Sequence, residues 1–522
     1  MEAKRTVPEL MAEIRQVTEE IQEIYLQGKP FVVGWSGGKD STAVLQLVWR
    51  AIAQLPTGDR SHPIHVLTND TLVENPVVAA QVRNSLKQME QVARKQEMPI
   101  ATAITTPKIK DTFWVSLIGK GYAAPRRGFR WCTDRLKIQP ANQFIRESIS
   151  LNGETILVLG TRKSESVSRG ASMERHKTGQ MSDHLSTNSK SSAYRSDLRE
   201  AIVYSPIEDW RTDEVWLYLM QFDNPWGCDN KDLLAMYRGA TADNECPLVV
   251  DTSTPSCGSS RFGCWTCTLV NKDKSMEAMI LNDREKEWMQ PLLDIRNELD
   301  VDDDRDRRDY RRMNGTIGLY EKKNSDGTTS LKPIPGPYTR VWREHWLRRV
   351  LEAQTHTRKT APEGMRDITL ISPEELSEIR RIWLEEKYEF DDSLPRIYKE
   401  VTGEAFEGDR ARDDRAALSQ EDWDVLESVC EGDSNQIELI AGLLVETEKH
   451  GLSPSRKGVF KAIEKQFARA SGSREEELNR ATENYKIRAG CIQELKQQLT
   501  TKNPEPQGKQ LSWADIKFSN PN

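Results

Sequence analysis

The stretch FVVGWSGGKDSTAVL, residues 31–45, decides how the rest of the chain is read. Phe31-Val32-Val33 is a short apolar run suited to a buried strand, and an aliphatic helical pattern begins almost at once, at Thr42. Between them lies Ser36-Gly37-Gly38-Lys39-Asp40-Ser41. Two consecutive glycines let backbone amides turn toward a ligand with no Cβ in the way, and the following helix adds the partial positive charge of its N-terminus. Ser36 and Ser41 add hydroxyl donors and Lys39 a cation, so the loop is suited to cradle phosphate. It is not a Walker A loop: three residues, not four, separate Gly34 from Gly38, and Asp40 stands where that motif needs Ser or Thr. An acid there suits a metal contact, such as Mg2+, or control of the nucleotide's orientation.

Outward from this loop the pattern repeats. The runs IHVLTN (64–69), PIATAITT (99–106), TILVLGT (155–161) and AIVYSPI (201–207) alternate with segments of helical spacing. Strands separated by helices predict an α/β domain: a parallel twisted sheet with helices on both faces and ligands at the carboxyl ends of the strands. Upstream, Val7, Leu10, Ile14, Val17, Ile21 and Ile24 mark one face of an amphipathic helix. The domain is expected over residues 1–222, interrupted by a Ser-rich segment at 163–197 that reads as a mobile loop or a lid. A cysteine-rich region, 223–345, follows. It carries the charge run DVDDDRDRRDYRR, expected as a solvated helix face, and a hairpin turning at Ser325-Asp326-Gly327. Residues 346–522 read as charged and mainly helical with a polar tail.

Composition narrows the class. Among 522 residues, 74 Lys+Arg stand against 81 Asp+Glu, a net charge of −7 that excludes a bulk polycation but allows a local basic groove. The longest apolar runs, such as TILVLG, fall far short of the ~20 residues of a membrane span. The first residues lack the apolar core of a signal peptide, and the thiols fit a reducing cytoplasm better than a disulfide scaffold.

Four of the eight cysteines crowd into CPLVVDTSTPSCGSSRFGCWTC: Cys246, Cys257, Cys264 and Cys267, the last two as C-x-x-C. That is metal-ligand spacing. A lone C-x-x-C without histidine favours an iron–sulfur cluster over structural zinc, with Cys228 as rival for a ligand position. Cys132 stands apart in PRRGFRWCTDRLK, where Arg126, Arg127, Arg130, Arg135 and Lys137 interleave with Phe129 and Trp131. Basic residues with aromatic rings suit an anionic polymer with exposed bases, and neighbouring arginines are expected to favour the Cys132 thiolate. Asp70, closing the second strand, suits ribose, adenine or a metal, or else caps the next helix. Arg162, just past the fourth strand, and Arg169 suit phosphate oxygens.

The loop resembles the SGGxDS signature of the PP-loop ATP pyrophosphatase superfamily, with its adenine nucleotide alpha hydrolase-like fold, at all five fixed positions. Thr68-Asn69-Asp70-Thr71 with Glu74-Asn75-Pro76, Arg130-Trp131-Cys132-Thr133 with Lys137-Ile138-Gln139-Pro140, and Gly160-Thr161-Arg162 with Arg169 resemble motifs of its phosphoadenylyl-sulfate reductase branch. With the cysteine segment and the chain length, the whole resembles the DndC family of DNA phosphorothioation proteins. That resemblance implies ATP bound at Ser36 to Ser41 and adenylation of a DNA phosphate oxygen with release of pyrophosphate. It implies a catalytic Asp40, with Arg162 and Arg169 on the departing charge, Cys132 or cluster sulfide as the sulfur source, and a 4Fe-4S cluster on Cys246, Cys257, Cys264 and Cys267. A cysteine desulfurase and further subunits that present the DNA are the implied partners. Competing expectations are a sulfite-releasing reductase, a tRNA-thiolating enzyme and a nucleotide-sensing assembly subunit without turnover.

Overall fold

The computed structural model describes residues 5–165, 185–187, 201–240, 262–408, 420–451, 458–469 and 474–502, with positions 127, 314, 325, 388, 390 and 391 excepted. The apolar runs are strands: β1 (Phe31–Gly34), β2 (Ile64–Asn69), β3 (Ile100–Thr105) and β4 (Thr155–Val158). A short β5 (Leu185–Thr187) and then β6 (Ala201–Tyr204) complete a sheet of order β3-β2-β1-β4-β6-β5. Five strands are parallel, and β5 joins β6 antiparallel at the edge. β5 falls inside the segment expected as a loop.

Both faces are covered, as an all-parallel run requires. Helices α1 (Val7–Leu26), α2 (Lys39–Ala53) and α3 (Pro76–Lys95) share one core with Phe31, Val33, Ile64 and Ile156. Helix α4 (Gln139–Asn152) sets Ile145 and Phe144 against Val32, Leu67 and Leu157 on the other face. The order reverses between β1 and β4: the chain runs outward from β1 to β3, then crosses back to β4. A crevice at the carboxyl ends of these two strands is where open α/β sheets bind ligands. Two more helices, α5 (Thr212–Gln221) and α6 (Asn230–Gly239), pack on the α2 side through Trp216, Leu219, Leu233 and Tyr237.

A second core gathers Trp114, Trp131 and Trp265 with α7 (Lys274–Asn282), α8 (Gln290–Leu299), α9 (Arg340–Thr360), α10 (Pro373–Glu385) and α11 (Ser393–Thr402). The chain forms two compact units, neither a single stretch of sequence: 1–304 with 338–415, and 305–337 with 416–522. The second contains a hairpin, β7 (Leu319–Lys323) and β8 (Thr329–Pro333), and helices α12 (Gln420–Val429), α13 (Ser434–Gly451), α14 (Val459–Arg469) and α15 (Arg474–Lys502). The charge run 300–312 is not the solvated helix expected of it. Only Arg305–Arg307 is helical, as a single 3-10 turn, because its charges are spent in other ways: Asp304 is buried against Arg126, and Arg311 reaches Glu477. Among the described residues no helix is long and apolar enough to cross a membrane.

Candidate active site

The loop after β1 is shaped by its glycines. Gly37 has φ +73°, and a Cβ there would lie 2.6 Å from Val82 on α3. Gly38 caps α2, and the hydroxyls of Ser36 and Ser41 meet at 3.2 Å across the turn. The Lys39 ammonium lies 3.0 Å from one Asp40 carboxylate oxygen, and Arg162 Nε donates to the other at 2.7 Å. Arg162 is fully buried, and its other nitrogens donate to the Trp210 carbonyl and to the hydroxyls of Ser164 and Thr212. Its guanidinium is therefore aimed at Asp40, which it holds in place at the start of α2. Ahead of it, Gly160 is pressed against the same turn, since a Cβ there would lie 2.9 Å from the Asp40 carbonyl and the Ser41 amide nitrogen. Arg169 lies outside the described residues.

The loop after β2 is equally specific. One Asp70 oxygen accepts from the Leu72 amide at 2.9 Å, and the other pairs with Arg83 at 3.2 Å. Asp70 thus fixes the turn in which Leu72 takes φ +64°. It does not cap α3; Asn75 does, accepting from the amides of Val77 and Val78.

The cysteine turn docks on this same loop. Backbone hydrogen bonds run from Asn75 to Gly263 at 3.2 Å and from Trp265 to Val73 at 2.9 Å, and Glu74 bridges to Cys264. The Cys267 amide donates to the Cys264 carbonyl, closing the C-x-x-C turn. Cys264 Sγ lies 3.3 Å from the Thr71 hydroxyl and 3.7 Å from the Glu74 carboxylate, which Lys137 approaches to 3.5 Å. Lys137 lies in the last turn of a π-helical segment, Thr133–Ile138, that starts beside Cys132. Three segments far apart in sequence, around Glu74, Lys137 and Cys264, thus meet at the exit of β2.

The sulfur chemistry here differs from the sequence expectation at one point. Burial pushes the Cys132 thiol up rather than down, and the nearby Cys267 adds to this. Two of the arginines that were to favour its thiolate are committed elsewhere: Arg126 to Asp304, and Arg135 to Asp111 and Tyr122. Burial, with Glu74 behind it, likewise pushes the Cys264 thiol up to about 12. A buried thiol beside a carboxylate loses its proton to solvent readily only when a cation stabilises the thiolate, which is what binding a metal does. Cys264 and Cys267, facing Lys137, thus fit half of a four-thiolate set; Cys246 and Cys257 lie outside the described residues. Among those described, no three His, Cys, Asp or Glu side chains are arranged to hold a metal ion. Cys228 is apart from this turn, against Gln88 and Ser85 on α3.

The basic aromatic segment divides. Trp131 is buried, stacked on Phe113 at 5.5 Å and donating to the Ala123 carbonyl, so its ring is core and not a platform for bases. Phe129 and Arg130 are on the surface. One residue at the phosphate loop had no signal in the sequence: Tyr237 on α6, whose hydroxyl accepts from the Lys39 amide at 3.3 Å across 198 residues.

Residues 30–269 match the phosphoadenosine phosphosulfate reductase domain family. This part of the chain is therefore a reductase-like domain of the PP-loop class, a nucleotide-using enzyme fold of the pyrophosphatase and sulfur-transfer kind. The chain is also 27% identical over 198 residues to "Uncharacterized protein MJ0066" of Methanocaldococcus jannaschii, across 38% of this chain and 33% of that protein. It thus spans about a third of that relative's length.

Proposed function

We propose that this chain is a DndC-type, ATP-dependent sulfurtransferase of DNA phosphorothioation, which replaces a non-bridging oxygen of a DNA backbone phosphate by sulfur. The observation that supports it best is the docking of the cysteine turn on the exit of β2, at the same carboxyl end of the sheet as the phosphate loop after β1. A site that activates with a nucleotide and a site that handles sulfur share one rim.

A DNA phosphate oxygen attacks the α-phosphorus of ATP, the bond to the bridging oxygen breaks, and pyrophosphate leaves. The oxygen, a very poor leaving group before, now leaves as AMP when a sulfur nucleophile attacks the DNA phosphorus. Sulfur supplied as a persulfide needs a thiol to reduce its S–S bond on release. Ser36, Gly37, Gly38, Lys39 and Ser41 hold the pyrophosphate end; Asp40, kept in place by Arg162, orients the nucleotide and would take Mg2+ in exchange for its contact with the Lys39 ammonium. Arg169 neutralises charge as pyrophosphate departs. Cys246, Cys257, Cys264 and Cys267 would hold a 4Fe-4S cluster, whose chemistry when bound would be to supply sulfide or electrons, and Cys132 would carry persulfide. DNA, a cysteine desulfurase and further subunits are the partners, in the cytoplasm.

The test is mass spectrometry of nuclease-digested DNA from cells with and without the gene, and with Asp40→Asn. Sulfur-bearing dinucleotides should vanish in the last two. Their absence from intact cells, or survival after deletion, overturns the reading. The description of the matched family favours a second reading, reduction of nucleotide-activated sulfate, whose mark is sulfite release without ATP cleavage.

A further inference from the structure

We propose that Tyr237 is the side wall of the phosphate loop, donating its hydroxyl hydrogen to the pyrophosphate end of the bound nucleotide. This rests on the nucleotide reading of the loop given above. The Lys39 amide is one of the orphan donors at the start of α2, and the Tyr237 oxygen accepts from it at 3.3 Å. The same oxygen is 3.5 Å from where a Gly38 Cβ would stand, so the hydroxyl lies against Gly38 and Lys39, where the loop passes into α2. Accepting one hydrogen bond leaves the phenol its own hydrogen, and a phosphate in the cradle is an acceptor for it.

Tyr237 cannot easily move away. Its ring is met edge-on by Trp216 at 5.1 Å and by Phe262 at 4.8 Å, and the Lys39 ammonium stands 5.4 Å from its centroid. Lys39, Asp40 and Arg162 are the charged groups facing it. Burial pushes the phenol up to about 12, so it remains a neutral donor at physiological pH and adds no negative charge to repel phosphate.

Calorimetric titration of the purified chain with inorganic pyrophosphate, ATP and AMP tests this. Tyr237→Phe keeps the ring and removes only the hydroxyl. A hydrogen bond to a charged acceptor predicts about 10- to 100-fold weaker binding of pyrophosphate and ATP, with AMP unchanged. Phe262→Leu, which loosens the ring and keeps the hydroxyl, should lose far less. The inference is overturned if Tyr237→Phe binds pyrophosphate as the wild type does. It is also overturned if that variant loses AMP equally, or if Phe262→Leu matches its loss. Failure of the wild type to bind pyrophosphate or ATP is a different result: it removes the nucleotide reading of the loop itself.

Discussion

A methyl group on Gly160 would sit 2.9 Å from the carbonyl of Asp40 and from the amide nitrogen of Ser41, and backbone atoms have no rotamer to escape into. Gly160→Ala must therefore push β4 away from the start of α2. Overpacking of this kind costs about 1–3 kcal/mol. Because the atoms displaced belong to the phosphate loop, ATP binding should fall by more than the melting temperature alone implies. Gly239→Ala, where nothing lies within 4 Å of the added carbon, is the control and should leave both unchanged. Thermal melts with and without ATP decide this. The Asp40–Arg162 pair predicts a second result. Arg162 is buried, so Asp40→Ala leaves a guanidinium with one partner fewer and no counter-charge at 2.7 Å, a loss of about 3 kcal/mol. Asp40→Asn keeps an oxygen for Arg162 Nε and should lose clearly less, as urea midpoints would show.

Strand β2 carries a pH dependence. His65 meets the ring of Phe144 on α4 at 5.7 Å, and burial lowers its pKa below the usual 6.5. The unfolded chain then takes up the proton first. Stability is full above about pH 6.5 and is lost as pH falls through the lower folded value. His65→Gln should flatten that part of the profile, seen as a smaller difference in urea midpoint between about pH 7.5 and about pH 5.5. An equal difference in both proteins would assign the acid sensitivity to other groups. At this scale the sequence is most informative where structure is local. The five parallel strands are legible because each is an apolar run between helical periods, and the phosphate loop because its turn is made by adjacent residues. Leu185-Ser186-Thr187 is not legible as a strand, since it pairs at the edge through its backbone. Cys132 shows the opposite failure: nearby arginines are visible in the sequence, but the pairing of Arg126 with Asp304 and of Arg135 with Asp111, and the burial of the thiol, are not. Tyr237 and the Glu74–Lys137–Cys264 contact are set by chain closure over long separations, which no local pattern encodes.

At the scale of the whole chain, two units assembled from interleaved segments require specific contacts to hold each unit's pieces together. In the unit made of 305–337 and 416–522, one such contact is a bidentate pair: Arg311 donates to both oxygens of Glu477, at 2.7 and 2.8 Å, and the Tyr310 hydroxyl joins at 3.1 Å. Glu477 is buried, so Glu477→Ala leaves Arg311 half-buried without its carboxylate and removes a link between the hairpin segment and α15. A bidentate pair in such a setting is worth more than a surface ion pair, and its loss should open that unit locally by about 2 kcal/mol or more. Hydrogen exchange should then speed up in 305–337 and in the first turns of α15. Protection in β1, β2 and β4 should stay as it is, because none of their hydrogen bonds belongs to this unit. If the sheet loses protection as well, the two units unfold as one, and the division of the chain has no energetic meaning. If only the hairpin and α15 respond, the unit made of 1–304 and 338–415 keeps its stability while the other opens, and the phosphate loop is energetically independent of the Arg311–Glu477 pair.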